Sequence, residues 1–125
     1  MNNPADRLYS EEHIWVKING AVATLGLTPY AQDALGEIVF IDLPEIGTTV
    51  IRDQPLGEIE STKSVSDLYS PVDGVVTERN EAVKAGVHLL NEDVWGAWLV
   101  RVDLAANAST DHLLDAERYT EMTEA

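Results

Sequence analysis

Apolar and polar positions alternate with a period of two over most of the first hundred residues, and turn-forming residues interrupt the alternation at short intervals. That pattern predicts many short strands rather than a helical domain. Residues 9–16 form a first strand, with Ile14 and Val16 alternating against Trp15 and Lys17. Asn19-Gly20 reads as a tight hairpin turn, and residues 21–27 return as a second strand. Thr28 can cap a short helix over 30–35, Pro29 suits its first position, and Gly36 suits its C-terminal cap. Residues 37–43 are apolar on both alternating sets, which predicts a strand buried on both faces. A short strand at Val50 and Ile51 follows a turn at 44–47. After a further turn at 53–55, the strands 56–61 and 64–69 flank Thr62-Lys63. Asp73-Gly74 turns the chain into a strand at 75–78. A polar, irregular connection over 80–91 leads to a last strand at 98–102.

The period changes near the C-terminus. Leu113, Ala116 and Thr120 recur at helical spacing beside Leu114 and Arg118, and Tyr119 and Met122 broaden the stripe. A terminal helix is expected over about 110–121, capped by Ser109 or Thr110, with fraying beyond Glu121. No linker or low-complexity stretch divides the chain. The expectation is one domain over 1–125, with its core in 8–102 and a mainly β barrel or sandwich architecture.

Charge narrows what such a domain can bind. Twenty-two Asp and Glu face eight Lys and Arg, a net charge of −14. This surface repels phosphate backbones and anionic membranes, so neither nucleic acid nor membrane is an expected partner. Basic faces on other proteins are. Residues 1–6 show no basic region leading into an apolar stretch, and no apolar run approaches the roughly 20 residues of a membrane span, so a cytoplasmic location is expected.

The chain has no cysteine, which removes disulfides, thiolate nucleophiles and thiolate metal sites together. His13, His88 and His112 are far apart and fit no metal-ligand spacing. No GxSxG, P-loop or GxGxxG is present. The chain is therefore not expected to be an enzyme, and no metal site is expected. His13 reads as a structural hydrogen-bonding residue, and Trp15, Trp95 and Trp98 read as packing.

The informative feature is the lysine distribution. Only Lys17, Lys63 and Lys84 exist, and Lys63 stands between two short strands, flanked by Thr62 and Ser64. That placement sets its amine at the tip of a hairpin. A solvated turn lysine and an address for covalent modification both remain open from the pattern alone.

The stretch from Glu60 through Pro71, Glu-Ser-Thr-Lys-Ser-Val-Ser-Asp-Leu-Tyr-Ser-Pro, resembles the lipoyl-lysine hairpin of lipoyl carriers, and in particular of the H proteins of the glycine cleavage system. Further blocks resemble that family in order: residues 9–13 with Trp15-Val16, residues 26–36, residues 40–47, Asn80-Glu81-Ala82, residues 90–93, Trp98-Leu99, and residues 113–119. Biotin carriers place their lysine between methionines, and lipoyl domains of 2-oxo acid dehydrogenases lack the 28–36 helix and the C-terminal helix.

The resemblance implies the lipoyl/biotinyl-type barrel-sandwich hybrid fold, decorated by a short internal helix and a C-terminal helix. It implies lipoate in amide linkage to Lys63, and a non-catalytic shuttle, expected to be a monomer. The implied partners are a pyridoxal-phosphate glycine decarboxylase that loads an aminomethyl group, a tetrahydrofolate-dependent aminomethyltransferase that removes it, and a dihydrolipoyl dehydrogenase using FAD and NAD. Lipoyl-attaching enzymes complete the set, with Glu58 and Glu60 as candidates for their recognition. The alternative is an H-like lipoyl carrier serving lipoate relay or another lipoate-dependent pathway.

The chain departs from the family where a glutamate is common between the histidine and the tryptophan. Here that position is Ile14. In the family the carboxylate helps hold the loaded arm in a cleft. Glu12 or Asp67, or a differently shaped pocket, takes over that role, or the loaded arm is less protected. Lys84 to His88 also replaces a segment that usually contains Asn-Pro, and 94–98 is one residue shorter than the common form.

Overall fold

The computed structural model describes residues 3–124. Its strands are β1 (Leu8–Tyr9), β2 (Ile14–Asn19), β3 (Val22–Leu27), β4 (Ile38–Asp42), β5 (Thr49–Val50), β6 (Pro55–Ser61), β7 (Val65–Tyr69), β8 (Gly74–Arg79) and β9 (Val100–Leu104). The helices are α1 (Pro29–Leu35), α2 (Glu81–Ala85), α3 (His88–Glu92) and α4 (Ala116–Glu124). A six-stranded sheet runs β1-β2-β3-β9-β8-β5, and a three-stranded sheet runs β4-β6-β7. The two sheets form a sandwich and not a closed barrel.

Both sheets give their apolar faces to one core. Val16, Leu25, Val76, Val100 and Val102 from the larger sheet meet Ile38, Ile41, Ile59 and Leu68 from the smaller. The first hairpin is shifted one residue from expectation. Asn19 still pairs with Val22, so the turn residues are Gly20 and Ala21. Gly20 takes the positive φ of 64° that suits the first central position of a type II′ turn.

Four expectations need correction. Residues 9–16 are not one strand: a turn at 10–13 separates β1 from β2, with His13 at φ 67°. β4 is not buried on both faces. Its outer positions Val39 and Phe40 are 47% and 51% exposed, because no layer covers that side of the small sheet. Residues 80–91 are not an irregular connection but contain α2 and α3. The Asn80 side chain accepts from the Ala82 N–H and starts α2, while Val83 and Leu90 anchor the pair to the core. Propensity alone would not hold such short helices; their buried residues do.

The C-terminal helix begins at Ala116, not near 110, and continues to Glu124. Leu114 exchanges two backbone hydrogen bonds with Tyr9, at 2.8 and 2.7 Å, and a bridged residue cannot also be helical. Asp115 then caps the helix, its Oδ1 accepting from the Arg118 N–H at 2.8 Å.

A second, aromatic cluster joins this helix to the sheet. Tyr9, Trp15 and Tyr119 are buried together, with Trp95 and Trp98 packed against them. Trp15 donates from Nε1 to the Val94 carbonyl at 3.1 Å. Its indole lies directly over Gly26, where any side chain would collide with it.

Candidate functional site

Lys63 sits on the turn between β6 and β7 and is exposed. Backbone geometry holds the turn from inside. The Ser61 N–H donates to the Ser64 carbonyl at 2.8 Å, and the Ser61 hydroxyl oxygen accepts from the Lys63 and Ser64 N–H groups, each at 3.2 Å. From outside, the Thr62 N–H donates to the Glu37 carbonyl at 3.1 Å. The lysine side chain is therefore exposed while hydrogen bonds hold the backbone that carries it.

The Lys63 side chain reaches back toward α1. Its Cε and Nζ lie about 3.9 Å from where a Cβ on Gly36 would stand. Gly36 has φ 82° and closes α1 through its N–H to the Gln32 carbonyl. Leu35, the residue before Gly36, is one of those lining a cleft of about 190 Å³. Leu27, Ala31, Ala34, Leu35, Ile59 and Leu68 make it apolar, and Glu12, His13, Ser66 and Asp67 border it with polar groups. One wall is α1 and the other includes β7, the edge strand of the small sheet.

The sequence-selected residues divide clearly. Glu12 and Asp67 both border this cleft. Ile14 does not: it is 3% exposed and pairs with Leu27 across β2 and β3, packed into the main core. An aliphatic side chain there gains more from burial than from a place at a polar rim. Glu58 and Glu60 stand on the opposite, outer face of the small sheet. There Phe40, Glu60 and Val65 form one cross-strand row, and Asp42 and Glu58 form the next, which ends at Asp67 on the edge strand β7, where the outer face meets the cleft. Phe40 and Val65 are 51% and 58% exposed. Among the described residues, none of these four carboxylates takes part in an ion pair.

A hydrogen-bonded group at the cleft rim escaped sequence reasoning. The Tyr119 hydroxyl lies 2.8 Å from His13 Nδ1 and 2.7 Å from Thr28 Oγ1. Thr28 Oγ1 in turn accepts from the Ala31 N–H at 3.2 Å, capping α1. The cap and the helical stripe containing Tyr119 were each legible, but their meeting across 91 positions was not. Burial pushes the Tyr119 hydroxyl up to about 12, with the Thr28 hydrogen bond opposing. Burial also lowers His13 below its ordinary value of 6.5, with Glu12 opposing.

The folded protein thus binds the His13 proton less readily than the unfolded chain. His13 contributes stability that is complete above about pH 6.5 and is lost as pH falls through its lower folded value. Thermal unfolding scanned by calorimetry between about pH 5 and 8 should show Tm falling on the acid side. His13→Asn, which tolerates the left-handed backbone, should remove that component. An unchanged acid slope in the variant would assign the loss to other groups.

The lysine presented on a sandwich hairpin, with a cleft beside it, defines the class: a lipoyl/biotinyl-type domain of two sheets with added helices. The chain belongs to the glycine cleavage H-protein family, whose model matches residues 7–125. The glycine cleavage system H protein of Beutenbergia cavernae is 48% identical over 124 residues, covering 98% of each chain. That of Bacillus mycoides is 47% identical with the same coverage. The crystal structure of a glycine cleavage system H protein from Mycobacterium marinum superposes with a TM-score of 0.89 at 37% identity, covering 98% of this chain and 100% of that one. No helix among the described residues is long and apolar enough to cross a membrane.

Proposed function

We propose that this protein is the lipoyl-lysine carrier of a glycine cleavage system, non-catalytic in itself and working in the cytoplasm. It would pass aminomethyl groups from glycine decarboxylase to aminomethyltransferase, and electrons to dihydrolipoyl dehydrogenase. The observation that carries this reading is Lys63. Its amine is exposed on a turn whose backbone is fixed at Ser61 and Thr62, in a chain of the glycine cleavage H-protein family.

The residues present fit a lipoyl group. Lys63 supplies an amine for the amide bond, and the adjoining apolar cleft suits a hydrocarbon arm. The group would bring the dithiol–disulfide couple that a chain without cysteine lacks. Ala31, Ala34 and Leu35 would shield the arm from water, and the Glu12 and Asp67 carboxylates would receive a cationic cargo at the rim. A tether raises the local concentration of what it carries within each docked complex.

Intact-mass analysis of the protein from cells that lipoylate other proteins tests the assignment. One lipoyl increment should map to the Lys63 peptide. An unmodified Lys63 in such cells would overturn the reading.

The outer face of the small sheet supports docking to partners with cationic rims. Raising salt from about 50 to 300 mM shortens the screening length, and affinity for each partner enzyme should fall several-fold. Phe40→Ser with Val65→Ser should weaken docking further at fixed salt, as read by surface-binding titration. Salt-independent affinity would remove this face from consideration. The relay alternative drew on Ile14, which is buried in the core and does not line the cleft. Loading by glycine decarboxylase separates the two readings.

A further inference from the structure

We propose that Tyr119 is a positioning residue for the cleft beside Lys63, one hydroxyl on α4 holding both the helix that forms a wall and the histidine on the rim. The inference rests on the reading of that cleft as the seat of a lipoyl-lysine arm.

Two features make the hydroxyl a fixed point. The Tyr119 ring is fully buried and stacks on Tyr9 with centroids 4.7 Å apart, so packing sets its place independently of its hydrogen bonds. Tyr9 in turn is bonded through its backbone to Leu114, which fixes where α4 begins. From that point the hydroxyl contacts His13 and Thr28, at 2.8 and 2.7 Å.

The hydrogen bonds are all satisfied in one direction. The Ala31 N–H donates to Thr28, the Thr28 hydroxyl donates to Tyr119, and the Tyr119 hydroxyl donates to His13 Nδ1. In the reverse direction the buried Thr28 proton would find no acceptor. The chosen direction leaves a neutral imidazole with its proton on Nε2.

Each end of this chain lies at the cleft. Ala31 is a lining residue on α1, and His13 is a lining residue on the rim beside Glu12. The His13 backbone is left-handed at φ 67°, and its carbonyl accepts from the Thr28 N–H at 3.2 Å. Tyr30, the residue before Ala31, packs on the His13 ring at 4.5 Å. The rim and the wall are therefore tied to each other directly, and both are tied to α4 through one oxygen atom. Removing that oxygen leaves the stacking and the Thr28 cap in place but frees His13 Nδ1 from its donor.

The test compares the lipoylated protein with the unmodified protein by NMR of the Ala31, Ala34 and Leu35 methyl groups. In the wild type, lipoylation should move these signals. In Tyr119→Phe the movement should shrink by roughly twofold or more, and the imidazole nitrogen signals of His13 should lose the single-tautomer pattern. Signals of the distant core residues Val76 and Val102 should stay in place. Thr28→Val cuts the tie between Tyr119 and α1 and leaves the Tyr119–His13 contact, so the methyl movement should shrink likewise while His13 keeps its single-tautomer pattern. It carries the test if the tyrosine variant unfolds, while Thr28→Ser should behave as wild type. Wild-type movement in Tyr119→Phe, or in Thr28→Val, would overturn the proposal. If lipoylation moves none of the three residues in the wild type, the cleft is not the seat of the arm, and the proposal falls with that reading.

Discussion

Lys63→Arg should reduce glycine cleavage, reconstituted with the three partner enzymes, to the level of a reaction lacking this protein. Arginine keeps the positive charge but its guanidinium offers no amine for an amide bond. Stability should not follow activity. The Lys63 side chain is exposed, and the turn's hydrogen bonds come from the backbone and from Ser61. Surface substitutions of this kind stay within about 0.5 kcal/mol. Activity assayed beside a denaturant titration separates the two effects. Turnover above the blank would point to attachment at Lys17 or Lys84, and a large drop in Tm would mean that Lys63 supports the fold.

Gly26→Ala should destabilise the fold by about 3 kcal/mol, lowering Tm by roughly 10 °C. A Cβ at Gly26 would overlap the Trp15 indole. The ring cannot move aside cheaply. It is 2% exposed, its Nε1 donates to the Val94 carbonyl, and the Arg7 guanidinium lies 4.7 Å from its centroid. Displacement would leave a buried carbonyl unpaired and disturb the aromatic cluster that holds α4. Thermal and urea unfolding followed by tryptophan fluorescence measure the loss. A variant as stable as wild type would show that the indole has a second place to go. Because α4 reaches the cleft through Tyr119, this variant should also weaken the hold on His13.

Local signals carried much of the fold. The Thr28-Pro29 start and Gly36 end of α1 were legible because caps act over a few residues. The hairpin around Lys63 was legible from two alternating strands, and the family from blocks spread along the chain. Where the reading failed, a distant contact decided. The Leu114 bridge to Tyr9 delayed the start of α4, burial of Val83 and Leu90 stabilised α2 and α3, and the lack of a covering layer exposed Val39 and Phe40. Alternation alone cannot say whether a second apolar face will be covered.

The same division runs through the site. Sequence alone determined that the chain brings no thiol chemistry of its own, that Lys63 stands on a hairpin, and that the surface carries a net charge of −14. These follow from composition and from short-range pattern. Only the tertiary structure decided where the candidate residues lie: Glu12 and Asp67 at the cleft, Ile14 in the core, and His13 and Thr28 on the Tyr119 hydroxyl. The physical reason is that hydrogen bonds and packing act over a few ångströms, while these partners are up to 106 positions apart along the chain.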